Sequence, residues 1–211
     1  MQILSLVLVL VGCSSVAAVP ESQPTASQLS PKVAEAAFKA YKCAIQRDEV
    51  TRNRMAIIDF NLPSSAKRLW VFDMEESTLL HHELVSHGKN SGGLWATSFS
   101  DVSGSKQSSL GAYVTAETYS GKHGYSLKLD GLEEGFNKNA RTRAIVIHGA
   151  DYVSEEFVDK QGRLGRSWGC PAVSTAVSEE LIDDIRGGAL VLAHFNDKKW
   201  LAEAAFLHCS R

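Results

Sequence analysis

The chain has no block of like charge, no apolar stretch approaching a membrane span, few prolines and few cysteines, and each scarcity excludes a class of protein. Its 22 Lys and Arg against 24 Asp and Glu leave a net charge of −2, which excludes the basic field of a nucleic-acid binder. Five prolines in 211 residues, with 44% hydrophobic and 22% charged residues, exclude disordered and collagen-like chains. What remains is one globular domain with enough apolar material to bury a core. The four cysteines, Cys13, Cys43, Cys170 and Cys209, are too scattered for a disulfide framework, and no two have zinc-knuckle spacing. Each therefore requires its own explanation.

The longest apolar run, residues 3–11, is interrupted only by Ser5 and is less than half of the roughly 20 residues that cross a bilayer. It reads as a signal-peptide core, although Met1 and Gln2 bring no positive charge to the leader. Leu10-Val11-Gly12-Cys13 resembles a bacterial lipobox, in which Cys13 would carry a lipid and tie the protein to a membrane. Val16-Ala17-Ala18 offers ordinary secretory cleavage after Ala18 instead. Both routes predict export to the bacterial cell envelope or periplasm. Residues 1–18 are thus the processing region and residues 19–30 a polar tether.

Ser30 before Pro31 marks a helix start, and Val33, Ala37, Tyr41, Ala44 and Ile45 share one face, so residues 31–54 hold an N-terminal helix. The period then changes. Residues 55–60, 68–74, 79–85, 111–119, 125–129, 144–148 and 189–195 are short runs rich in β-branched and aromatic residues, predicting a sheet-dominated domain over 55–211. Glycine and serine loops separate them, and such loops on a rigid sheet are where sites sit. Two short helices are expected at 154–159 and 178–186, the second with Ser178 as its cap and Gly187 as its stop.

The chemistry concentrates between Arg143 and Val173. An apolar strand ends at His148 and Gly149, placing an imidazole at a sheet rim, either as a catalytic group or as a hydrogen-bonded structural histidine. Downstream stands Gly165-Arg166-Ser167-Trp168-Gly169-Cys170-Pro171. Proline holds Cys170 extended and Gly169 permits close backbone approach, so successive amides of this turn aim at one point. A thiol nucleophile, a base and clustered N–H donors are the parts of an acyl-transfer site. The alternative for Cys170 is a small buried hydrophobe, although an unpaired cysteine is harder to dismiss in an oxidising compartment.

His148-Gly149 followed by Ser167-Trp168-Gly169-Cys170 resembles the signature of the L,D-transpeptidase catalytic domain (YkuD-like). Ser108-Ser109-Leu110-Gly111, Gly121-Lys122-His123-Gly124-Tyr125-Ser126-Leu127, Gly131-Leu132-Glu133 and His148-Gly149-Ala150-Asp151-Tyr152-Val153 resemble its murein branch. The resemblance implies a mainly β fold, a mixed-sheet β-sandwich with the N-terminal helix and one or two short helices. It implies Cys170 as nucleophile, His148 as base and the Gly149 carbonyl as the group that orients the imidazole. Trp168, Gly169 and Cys170 would supply backbone oxyanion donors. It also implies peptidoglycan stem peptides as partners, no cofactor and no metal. Many members carry histidine where this chain has Trp168, and a hydrophobic residue followed by Arg or Asn where it has Pro171-Ala172, so a second histidine is lost from the turn.

Further substrate contacts are expected from Arg166, against a peptide carboxylate, and from Ser167, His123, Tyr125 and Tyr152, with Trp168 as an apolar wall. For Arg166 the alternative is a surface ion pair, and for His123 a polar turn. His81 and His82 are neighbours on one strand and point to opposite faces, so with His87 they read as structural or exposed residues. A zinc site at His148 and Cys170 lacks any identifiable further ligand. Cys43 and Cys209 admit a disulfide in an exported protein.

Overall fold

In the computed structural model, residues 29–209 are described. The lipobox at Cys13, the cleavage site after Ala18 and the tether through Gln28 lie outside the described residues. Leu29, at the end of the expected tether, is buried in the core. The family of elements begins with α1 (Pro31–Gln46), with proline in its first turn and Val33, Ala37, Tyr41 and Ala44 buried as the spacing requires. Ile45, expected on the same face, is 48% exposed, because the buried face runs through Ala36, Ala40, Cys43 and Ala44 and leaves Ile45 beyond its flank.

Eight strands follow, β1 (Arg54–Asp59), β2 (Leu69–Asp73), β3 (Thr78–Glu83), β4 (Gly111–Gly121), β5 (Gly124–Gly131), β6 (Val146–Gly149), β7 (Ala172–Val173) and β8 (Leu190–His194). They make one mixed sheet in the order β3-β2-β1-β8-β4-β5-β6-β7. β1–β8 and β6–β7 are parallel, and the other pairs are antiparallel. The two edges then meet: Ser86 N–H donates to Ala172 O at 2.8 Å, and Gly88 bridges Ser167. A sheet that closes on itself this way buries one face of every strand and hides its edges. The mainly β, sandwich-like fold expected from the sequence is therefore present.

Trp70, Phe60, Ile57, Leu127, Ile147 and Leu192 fill the interior. Each such side chain contributes about 1.5–3 kcal/mol by leaving water. Three short helices accompany α1, rather than one or two: α2 (Glu155–Gln161), α3 (Ser178–Ile185) and α4 (Lys198–Glu203). Ser154 caps α2 by accepting from Phe157 N–H at 3.1 Å, and Gly162 ends it in a left-handed conformation at φ 70°. The expected Ser178 cap of α3 is corrected to Val177, with Ser178 already helical and its hydroxyl donating to Thr175 O. Asp197 caps α4 by accepting from Trp200 N–H at 2.7 Å. Trp200 Nε1 in turn donates to the buried Glu133 at 2.7 Å, so Glu133 ties the chain end to the sheet. Cys43 and Cys209 form a disulfide with a Cα–Cα separation of 5.6 Å, fastening the same end to α1.

Candidate active site

Cys170 is the free cysteine among the described residues, and it lies half-buried in the wall of a cavity of about 500 Å³. Several segments bring the walls together. β6 contributes Val146 and His148, the residues just before it contribute Arg143 and Ala144, the β4–β5 hairpin contributes Tyr119, Lys122 and His123, and the 166–170 turn contributes Arg166, Ser167, Trp168 and Cys170. The register explains the approach: His148 is the partner of Ala172 in the parallel β6–β7 ladder, which sets the Cys170 turn beside the histidine. Tyr152 completes the wall. Lys122, Arg143 and Arg166 line the cavity and no Asp or Glu does among the described residues, although the whole chain is net negative.

His148 is 2% exposed, and its Nδ1 lies 2.8 Å from the Gly149 carbonyl. A carbonyl only accepts, so Nδ1 carries the proton and Nε2 is the ring's acceptor. Burial pulls the imidazole below its ordinary value, the Gly149 carbonyl opposes this, and neighbouring His123 adds to the lowering. The His123 ring stacks on His148 with centroids 4.5 Å apart, and His123 lines the same cavity. Tyr125 does otherwise: its hydroxyl donates to Asp183 at 2.7 Å, on α3, and it does not line the cavity. His123 lies in the two-residue turn between β4 and β5, and Gly124 adopts φ 72°, so regular strand alternation does not relate the two side chains.

The turn itself is held by one hydroxyl. Ser167 Oγ accepts from Gly169 N–H at 3.0 Å and donates to Cys170 O at 2.6 Å. The Gly169 amide expected to face an oxyanion is thus engaged by Ser167 here. Gly169 needs φ 127°, and a Cβ there would lie 2.7 Å from Gln107 O, so only glycine fits. Trp168 is 71% exposed with Lys106 over its ring at 4.7 Å, standing at the rim as a wall. Arg166 makes no ion pair: Nη1 donates to the carbonyls of Lys89 at 3.1 Å and Gly92 at 2.8 Å, so its charge stays uncompensated by carboxylate. The surface ion pair considered for it is absent among the described residues.

Burial pushes the Cys170 thiol up, while the Val146 amide and the Arg143 charge pull the other way. The thiol donates to Ala144 O at 3.6 Å. Ala144, expected inside a strand, instead adopts φ 53° just ahead of β6, a left-handed conformation that directs its carbonyl to the sulfur. Tyr152 is pushed up to about 12, by burial first and the Cys170 charge second. His81 pairs with Asp184 at 2.7 Å and His82 meets Lys67 O at 3.1 Å, both buried and structural. Three or more metal-ligating side chains do not cluster anywhere among the described residues. Arg143, Ala144, Tyr119 and Lys122 are lining residues that motif reasoning did not assign, since the signal for them is spatial convergence.

The model of the L,D-transpeptidase catalytic domain family matches residues 25–194, and the chain belongs to that family. A search of curated proteins finds no match. Among solved structures the chain is similar to an L,D-transpeptidase from Mycobacterium smegmatis, at 12% identity over 68% of this chain and 59% of that one, with a TM-score of 0.42. It is also similar to an L,D-transpeptidase from Stackebrandtia nassauensis, at 16% identity, covering 78% and 66%, with a TM-score of 0.39. L,D-transpeptidase 1 of Mycobacterium tuberculosis matches at 12% identity over 66% and 60%, with a TM-score of 0.37. The chain therefore spans less than two thirds of the length of these solved proteins. Among the described residues no helix is long and apolar enough to cross a membrane.

Proposed function

We propose that this chain is a peptidoglycan L,D-transpeptidase of the bacterial cell envelope, with Cys170 as nucleophile and His148 as general base. One observation carries the reading: a half-buried thiol and a histidine whose Nδ1 is committed to a carbonyl share one cavity. His148 Nε2 takes the Cys170 proton, and the sulfur attacks the carbonyl of the L-centre of diaminopimelate in a tetrapeptide stem. The C–N bond to the terminal D-Ala breaks, the leaving amine receives the proton from His148, and a thioester remains. An amine from a second stem then displaces the sulfur to form a cross-link, whereas water would give carboxypeptidase activity.

With the Gly169 amide engaged by Ser167, the oxyanion falls to the amides of Trp168 and Cys170. Arg166 and Lys122 suit the carboxylates of an anionic stem peptide, His123 and Tyr152 flank it, and Trp168 shields the acyl-enzyme from water. No cofactor or metal enters these steps. The domain limits 31–54 and 55–211, and a lipid on Cys13, belong to the same proposal. Incubation with tetrapeptide muropeptide or a carbapenem should give an acyl adduct on the Cys170 peptide by mass spectrometry, and Cys170→Ala should give none. A wild-type protein that binds muropeptide without acylating would instead be a peptidoglycan-binding module, and this reading would be abandoned.

A further inference from the structure

Arg143 lies just before Ala144 and β6, and its side chain is only 3% exposed. Nη1 donates to Ser100 O at 2.8 Å and to Ser109 Oγ. Nη2 donates to Gln107 O at 2.7 Å and to Ser105 Oγ at 3.3 Å. All four acceptors belong to the long 98–109 loop, whose own Ser108 hydroxyl donates to Gly169 O at 3.1 Å. A Cβ placed on Gly169 would lie 3.3 Å from Arg143 Nη2, so the guanidinium sits against the residue that precedes the thiol. It also forms part of the cavity wall that Cys170 lines.

A facing carboxylate offsets part of this charge. Asp101 Oδ1 lies 3.5 Å from Nη1 and has no hydrogen-bond partner among the described residues, while Oδ2 accepts from Asn139 N–H at 2.9 Å. Arginine keeps its charge at every working pH and its fork can hold several acceptors at once. A fixed cation in a site with little water stabilises nearby negative charge far more than a surface cation does.

We propose that Arg143 is a positioning residue of the acyl-transfer site, which clamps the 98–109 loop behind the Cys170 turn and supplies the fixed positive charge that favours the thiolate. The inference rests on Cys170 being the nucleophile. It assigns to a residue outside the turn the electrostatic work that Trp168, Gly169 and Pro171, the residues flanking the thiol, have no charge to perform. His148, His123, Lys122, Arg166 and Tyr152 also face the cavity, so the effect of Arg143 must be separated from theirs by changing it alone.

The test is the pH profile of iodoacetamide alkylation in the full chain, read on the Cys170 peptide by mass mapping so that Cys13 does not contribute. Arg143→Gln should move the midpoint up by about one unit, which is about a tenfold loss of alkylation rate at pH 7. Arg143→Lys, which keeps the charge and loses the fork, should stay within about 0.3 of the wild-type midpoint on the same scale. Asp101→Asn covers the case in which Arg143→Gln does not fold, because it leaves the cation with less compensation and should move the midpoint down. An unchanged midpoint in Arg143→Gln, equal upward shifts in Gln and Lys, or a midpoint in Asp101→Asn that stays or rises, each overturns the assignment. Alkylation does not depend on the peptide substrate. Failure of wild-type protein to acylate on muropeptide therefore defeats the transpeptidase reading separately from this one.

Discussion

Two histidines lie at strand ends in this fold, His148 next to last in β6 and His194 last in β8, and each is 2% exposed, yet their ring nitrogens face opposite kinds of partner. His148 Nδ1 faces a carbonyl, so Nε2 keeps a lone pair in a cavity shared with a thiol. His194 Nδ1 faces Asn61 Nδ2 at 3.1 Å. Asn61 Oδ1 accepts from Asn196 N–H at 2.9 Å and its Nδ2 donates to Asp59 at 2.6 Å, which fixes the amide as donor on the histidine side. His194 Nδ1 is thus the acceptor and Nε2 bears the proton. Its ring meets Trp200 edge-on at 5.4 Å, with no thiol nearby among the described residues. Strand position and burial are alike, and the partner of Nδ1 is what sets the two rings apart.

The largest effect that would break this comparison is on turnover. His148→Ala should lower Cys170 acylation by roughly 10²–10⁴-fold, the range of general-base loss, with the fold retained. His194→Ala should leave acylation within about threefold and lower stability instead, by about 1–3 kcal/mol for the buried polar groups left unpaired. Acylation rates and urea unfolding of both variants decide it, and an equal loss of acylation in the two would show that the tautomer argument has no force. The acid limb should also lie below the usual histidine range, because burial and His123 lower His148. A limb above pH 7 would contradict that.

A third buried histidine sharpens the contrast through stability. His87 Nδ1 lies 2.8 Å from Arg68 Nη2, and Arg68 also donates to Val85 O at 2.9 Å and to Leu62 O at 2.9 Å. Burial and then the Arg68 charge lower His87 to about 4, and burial lowers Arg68 to about 9. Its neutral form is therefore favoured in the folded state, so the stability it confers is present above pH 6.5 and is lost as pH falls from there towards 4. Up to about 3 kcal/mol is at stake. Unfolding free energies at pH 7.5 and pH 5 should differ by less in His87→Gln than in the wild type. An unchanged difference would remove His87 from the account.

Much of this architecture is legible from residue pattern. Pro31 and the apolar face through Ala44 define α1, and alternation or apolar runs mark every strand except β7. A two-residue strand has no period to detect, and Ala172–Val173 pairs only because Pro171 and the parallel register place it beside His148. α4 hides in a charged segment whose cap, Asp197, gains meaning only when Trp200 reaches Glu133. Cys170 and His148 stand out because a thiol in a Trp-Gly-Cys-Pro turn and a strand-end imidazole are local signals. Arg143 does not, since its acceptors lie 34 to 43 positions away in sequence and nothing local announces them. Tyr125 shows the converse: its motif is shared with His123, but the turn that holds His123 and the positive φ of Gly124 part the two side chains, and Tyr125 meets Asp183 instead.

The smallest expected effect lies in the backbone beside the thiol, and the His194 corner supplies the contrast because none of its residues adopts positive φ. Ala144 holds φ 53°, a conformation that disfavours any side chain with a Cβ by about 1–2 kcal/mol. Glycine would relieve that strain but add about 0.5–1 kcal/mol of chain entropy to be lost on folding. Ala144→Gly should therefore raise stability by no more than about 1.5 kcal/mol, or roughly 3–6 °C in Tm for a domain of this size. The Ala144 carbonyl keeps its direction towards Cys170 in the glycine variant, so acylation should stay within about twofold of wild type. A fall of tenfold or more at unchanged Tm would mean that the side chain of Ala144, a residue of the cavity wall, is a substrate contact rather than a tolerated source of strain.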